Sequence, residues 1–143
     1  MKKTSLVILL CIFMFVFVSC SQPYEFFQDI SDPSQIQIQI VCLESGIDQY
    51  DSPYNEENIT VIKIIEKTKA EAFLSHFKNI KSYHPFGDPI GRIAGEAIRI
   101  IYPNGSIELI TDYGTATVIK GETNIQTITF DSDDFAELLD KYS

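Results

Sequence analysis

The segment Ile36-Gln37-Ile38-Gln39-Ile40 alternates apolar and polar residues with a period of two. That period places every second side chain on one face of a strand, so the chain needs a sheet with a buried face. It runs on through Val41-Cys42-Leu43 and is followed by a second strand, Thr60–Glu66. It returns in Ala97–Tyr102 and Ser106–Thr111, which flank Pro103-Asn104-Gly105. Asn-Gly between two alternating runs is the strongest short signal for a hairpin. Asp112-Tyr113-Gly114 then leads into Thr115–Ile119, and Lys120–Asn124 leads into Ile125–Phe130. The result is a four-strand antiparallel meander. Strands this short favour an open sheet over a closed barrel.

Two stretches carry the helical period instead. Thr68-Lys69-Ala70-Glu71 has the pattern of a capping box and opens a helix to about Lys81. Ala70, Phe73, Leu74, Phe77 and Ile80 fall on one side of it. Asp131 or Ser132 caps a last helix, where Asp133 and Asp134 suit the first turn and Phe135, Leu138, Leu139 and Tyr142 share a face. The order β-β-α-β-β-β-β-α predicts an α+β fold. It is a two-layer sandwich, an antiparallel sheet with two amphipathic helices on one face, forming a single domain over residues 35–143.

Before the domain lies a different kind of sequence. Leu6 to Val18 is an unbroken apolar run with Lys2 and Lys3 ahead of it and Ser19-Cys20 behind. It is shorter than the ~20 residues of a spanning helix and has the layout of a secretory leader. Val16-Phe17-Val18-Ser19-Cys20 resembles the lipobox of bacterial lipoprotein precursors, with Phe17 where that family most often has leucine. The resemblance covers residues 1–20. It implies that the leader, 1–19, is cut away and that the Cys20 thiol receives a diacylglyceryl group. The protein would then be held at the extracytoplasmic face of the cell membrane or outer membrane through an N-terminal lipid anchor. Residues 20–34 read as the lipidated N-terminus and a tether broken by Pro23 and Pro33. Within it, Tyr24–Ile30 is apolar enough to form a turn of helix that docks on the domain or skims the lipid.

The leader also settles the cysteine count. Cys11 leaves with it and Cys20 is acylated, so Cys42 is a lone thiol with no disulfide partner. It shares a strand face with Ile36, Ile38 and Ile40 and reads as a buried small apolar group. The formal charge of −9 becomes −11 once Lys2 and Lys3 are lost. Between Ser21 and Ile62 there are eight acids and no base. Such a surface repels phosphate backbones, which excludes nucleic acid as a partner, and it leaves the lipid as the means of membrane attachment.

No motif for catalysis, metal or cofactor stands out. Asp48, Asp51, Asn55, Glu56 and Glu57 offer oxygens in a long loop, but the spacing is not that of an EF-hand. His76 and His84 match no zinc pattern, and no serine lies in a nucleophile elbow. Two loops are the candidate protein-contact surfaces: the acidic segment Glu44–Asn58 with Tyr50 and Tyr54, and Ser82–Gly95 with Tyr83, Phe86 and Ile90. The expectation is a non-catalytic binding or accessory domain for another envelope or secreted protein. The alternatives are a small envelope enzyme or metal-dependent module using His76 and His84, and a structural envelope lipoprotein.

Overall fold

Alternation over residues 36–43 produces a strand longer than its pattern. β1 runs Gln37–Asp48 because Gly46, at φ +67°, admits a bulge between Leu43 and Ile47 that keeps the ladder going. The computed structural model describes residues 23–84 and 90–143. Cys20 and Phe86 lie outside the described residues. After β1 come β2 (Ile59–Ile64), helix α1 (Lys67–Lys78), the two-residue β3 (Ser82–Tyr83) and β4 (Arg92–Ile101). Then follow β5 (Ile107–Ile110), β6 (Thr115–Ile119), β7 (Glu122–Gln126), β8 (Thr129–Phe130) and helix α2 (Ser132–Tyr142).

The fold is α+β, and the six main strands form one antiparallel sheet in the order β2-β1-β4-β5-β6-β7. β3 and β8 pair separately, Ser82 with Phe130 and Tyr83 with Thr129. Both helices pack on one face of the large sheet. There Ala70, Phe73, Leu74 and Phe77 of α1 meet Phe135, Leu138 and Leu139 of α2 over Ile38, Ile40, Ile98, Ile100 and Ile110.

Several boundaries differ from the sequence expectation. α1 starts at Lys67 with Glu66 as its cap, and no side chain makes the capping bond, so Thr68 sits inside the first turn. α2 is capped by Asp131, whose carboxylate accepts from the N–H groups of Asp133 and Asp134. The β6–β7 turn is a two-residue one, Lys120-Gly121, with φ of 51° and 87°. It brings Glu122–Gln126 into the sheet, while Thr129–Phe130 pairs in the small sheet. β1 and β4, of 12 and 10 residues, exceed the short strands expected.

The largest difference is on the other face. Val41, Leu43, Ile47, Ile93, Ala97, Leu109, Ala116 and Val118 form a second buried cluster there. Among the described residues no helix covers it. The loop between β1 and β2 folds across instead, laying Tyr54 on the cluster beside Ile59 of β2. The Tyr54 N–H donates to Thr123 Oγ1 of β7 at 3.1 Å.

The segment 24–30 is packed against the domain and forms no helical turn. Among the described residues, the only helical turn before β1 is the 3-10 turn Pro33–Gln35. Tyr24 is buried among Phe26, Phe77 and Phe130, with ring centroids 5.3–5.5 Å apart. Edge-to-face packing of this kind adds about 0.5–1.5 kcal/mol per pair beyond the area buried.

Candidate functional site

The helices cover the sheet only as far as Ile40 and Ile98. Beyond them an open cleft of about 860 Å³ lies between α2, the start of β4 and the edge strand β2, within the size range of ligand sites. Ile62 of β2 supplies exposed apolar surface, Phe135 and Leu139 of α2 border the cleft from within the helix-side core, and Glu96, Asp112, Glu137 and Asp140 supply acidic groups. Among the described residues no lysine or arginine lines it. Two local features place these residues. The β1–β2 pairing passes from Ile40 with Lys63 to Val41 with Val61, so Ile62 is the extra residue of a bulge, 45% exposed. On the far side, Asp112 is held by its backbone oxygen, which accepts from Phe130 N–H at 2.7 Å, and by Ser132 Oγ at 3.4 Å.

Cys42 lies near this end, opposite Thr60 and Glu96 in the ladders. It keeps the strand parity of Ile38 and Ile40 but is only half-buried, because the helix layer stops short of it. The expectation of a buried thiol is therefore corrected to a half-buried one.

Of the loop residues expected to carry contacts, Tyr50, Tyr54, Tyr83 and Ile90 lie among the described residues. Asp48 Oδ1 accepts from the N–H groups of Tyr50, Asp51 and Ser52 at 2.6–2.9 Å. Those bonds, led by the one from Ser52, hold its carboxyl below the usual range. This is a loop turn, which accounts for an aspartate at that position. Tyr54 is half-buried, and its hydroxyl donates to Glu56. Tyr50 stands out into solvent, 81% exposed. In the other loop Tyr83 is part of β3, and the Ile90 N–H donates to Thr127 Oγ1 at 2.6 Å. His76 sits on α1 with Nδ1 2.8 Å from the Tyr142 hydroxyl of α2, and His84 is exposed just after β3. Among the described residues no group of three or more His, Cys, Asp or Glu is placed to hold a metal ion.

Two buried charges were not anticipated from the sequence. Glu108, 1% exposed, lies beneath the segment 24–28 on the helix-bearing face. Its Oε1 accepts from the Tyr24 hydroxyl and from Phe27 N–H at 3.1 Å, and its Oε2 accepts from the Tyr102 hydroxyl. Burial raises the affinity of this carboxyl for its proton, and the three donors partly offset that. Burial, followed by the nearby charge of Glu108, keeps both phenols from ionising. Arg99 is buried on the opposite face. It forms an ion pair with Glu56, its Nη1 donates to Gln39 Oε1 at 3.2 Å, and its guanidinium lies 5.7 Å from the Tyr54 ring centre. Arg99 Nε has no partner among the described residues.

A signal for both existed. Ala97-Ile98 and Ile100-Ile101 surround Arg99, and Ile107 and Leu109-Ile110 surround Glu108. Apolar residues at both parities mark strands buried on both faces, where a charge must find partners. Compared with known proteins, the chain matches no family, no curated protein and no solved structure.

Proposed function

We propose that this protein is a lipid-anchored, extracytoplasmic binding domain that acts without catalysis on another envelope or secreted protein, and that the cleft beside α2 is its contact surface. The observation that carries the reading is the meeting in one open cleft of exposed Ile62 with Glu96, Asp112, Glu137 and Asp140 and, among the described residues, no base. Covering exposed Ile62 rewards burial of a side chain from a partner, and the acidic groups select a basic one. The excess of acids over bases in the whole chain, net −9, extends that selection to the approach of the partner. Anchoring rests on the lipobox-like Val16–Cys20; among the described residues no helix is long and apolar enough to cross a membrane.

A photo-crosslinking residue at Ala136, exposed on α2 beside the cleft, tests the contact in intact cells. A discrete adduct with a basic protein is expected, and Glu137→Lys with Asp140→Lys should abolish it. An adduct that survives the charge reversal, or none at all, would overturn the reading of the cleft. Mass spectrometry of the membrane fraction tests the anchor separately. It should find Cys20 as the acylated N-terminus, and an intact Met1 would sink that part.

A further inference from the structure

We propose that the basic partner meets the cleft as an extended strand added to the free edge of β2, its side chains alternately basic, toward the acids of the cleft, and apolar, over Val61 and Ile64. The inference rests on the reading of the cleft given above and adds the shape of its occupant. β2 ends the large sheet, and among the described residues no strand pairs with its outer side. Sheet edges are normally kept polar, as β7 is at the other end, where Glu122, Asn124 and Gln126 are exposed. β2 departs from that rule. Among the described residues six large apolar side chains are exposed, and three of them, Val61, Ile62 and Ile64, belong to this six-residue strand. The backbone is open as well. Ile65 N–H donates inward to Ile38 O at 2.9 Å, and successive N–H groups of a strand alternate in direction, so that of Ile64 points out of the sheet.

The side chains of β2 divide between the two faces. Val61 lies opposite Val41 and Ile64 opposite Gln39, so both stand on the face where Gln39 meets Arg99. Ile62, the bulge residue, lines the cleft on the helix face. A strand about 4.8 Å outside β2 would set every second side chain over Val61 and Ile64. The others would lie beside Ile62, toward Glu137 and Asp140 of α2. Main-chain bonds to the edge then give affinity, and the alternating side chains give selection. A helix or a loop entering the cleft has no reason to reach Val61 and Ile64. A second copy of this chain is the poorer occupant, because pairing β2 with β2 brings two Lys63 side chains and two domains of net negative charge together.

Photo-crosslinking residues at Ala136, beside the cleft, and at Val61, on the other face of β2, separate a strand from other shapes of partner. In intact cells both positions should capture the same protein. Mass spectrometry should place the Val61 crosslink in a segment that alternates basic and apolar residues, and a segment without that alternation overturns the stated chemistry. Ile64→Pro removes the outward N–H and no bond of the β1–β2 ladder. It should unfold in urea near the native midpoint and cut the Ala136 adduct by about tenfold, the effect of one lost hydrogen bond. Ile64→Ala keeps the N–H and should cut the adduct less. If Ile64→Pro unfolds, Val61→Ser with Ile64→Ser takes its place at exposed positions and should also lower the yield; an undiminished yield overturns the strand. Capture at Ala136 alone, or full capture by folded Ile64→Pro, overturns the strand and leaves the cleft reading standing. Capture of a second copy at Val61 overturns the basic occupant of the edge. No adduct at Ala136, whatever Val61 captures, sinks the cleft reading and the strand with it.

Discussion

The two faces of the sheet are covered by different means. On one, α1 and α2 bring Phe73, Phe77 and Phe135 onto the aliphatic strands, joined by Phe130 and Tyr24. Its buried charge, Glu108, has three donors. On the other, an aliphatic cluster lies under the loop of residues 49–58, which ends in a 3-10 turn, Glu56–Asn58. The buried charge there, Arg99, has one ion pair, one side-chain amide and an Nε without a partner among the described residues. A helix satisfies its own backbone and can be held by packing alone. A coil must be pinned through its few polar contacts, here Glu56 with Arg99 and Tyr54 N–H with Thr123. The helix face is thus the stronger half of the domain, and the loop face is where local opening should begin.

The largest test of this contrast is Phe77→Ala. It should cost about 3–5 kcal/mol in urea unfolding, because the ring touches Tyr24, Phe26, Phe130 and Phe135 at once. Leu109→Ala on the loop face should cost less, and a larger loss there would invert the ranking. Glu108→Ala comes next, at about 2–4 kcal/mol, since two buried hydroxyls lose their acceptor.

The pH dependence of Glu108 has a definite sign. Its folded pKa is raised from 4.5, so its contribution is fully present below pH 4.5 and declines as pH rises through the folded value. The stability of the native protein relative to Glu108→Gln should therefore fall as pH is raised from 4.5. A difference that is flat or rises across that range contradicts burial as the dominant influence on this carboxyl.

Smaller effects probe how each cover is attached. Glu56→Gln should cost about 1–2 kcal/mol, discounted because the Glu56 side chain is 60% exposed while Arg99 is not. Adding Arg99→Met should recover part of the loss, and no recovery would mean that the ion pair is not what pins the loop. Asp131→Ala should cost about 1 kcal/mol as a lost cap. Thr68→Ala should be close to neutral, as thermal unfolding of the two variants would show, because Glu66 holds the cap position of α1.

What was legible in the chain follows from local period. Phe73, Leu74 and Phe77 at helical spacing and Asn104-Gly105 between strands each specify an element from a few neighbouring residues. The capping box at Thr68 misleads because Lys67 already has helical geometry, with Lys69 N–H bonded to Glu66 O at 2.8 Å. The β6–β7 turn is misplaced because Glu122-Thr123-Asn124 reads as loop by composition, while Gly121 alone supplies the turn conformation with Lys120. Of the contact residues read from the loops, Tyr54 carries an aromatic ring that is as suited to covering the second cluster as to meeting a partner. Composition does not separate the two uses. The cleft could not be read at all, since Ile62, Glu96, Asp112 and Glu137 belong to four elements far apart in the chain.

The sequence by itself determines the α+β class, the helix faces, the central hairpin and the leader-like run ending in Cys20, because period and turn chemistry act over a few residues. Only the tertiary structure decides that the sheet has two cores, that Tyr24 closes on Glu108, and that the segment 24–30 packs on the domain without a helical turn. Those outcomes depend on which distant side chain fills a gap or accepts a buried proton, and no local pattern encodes that choice.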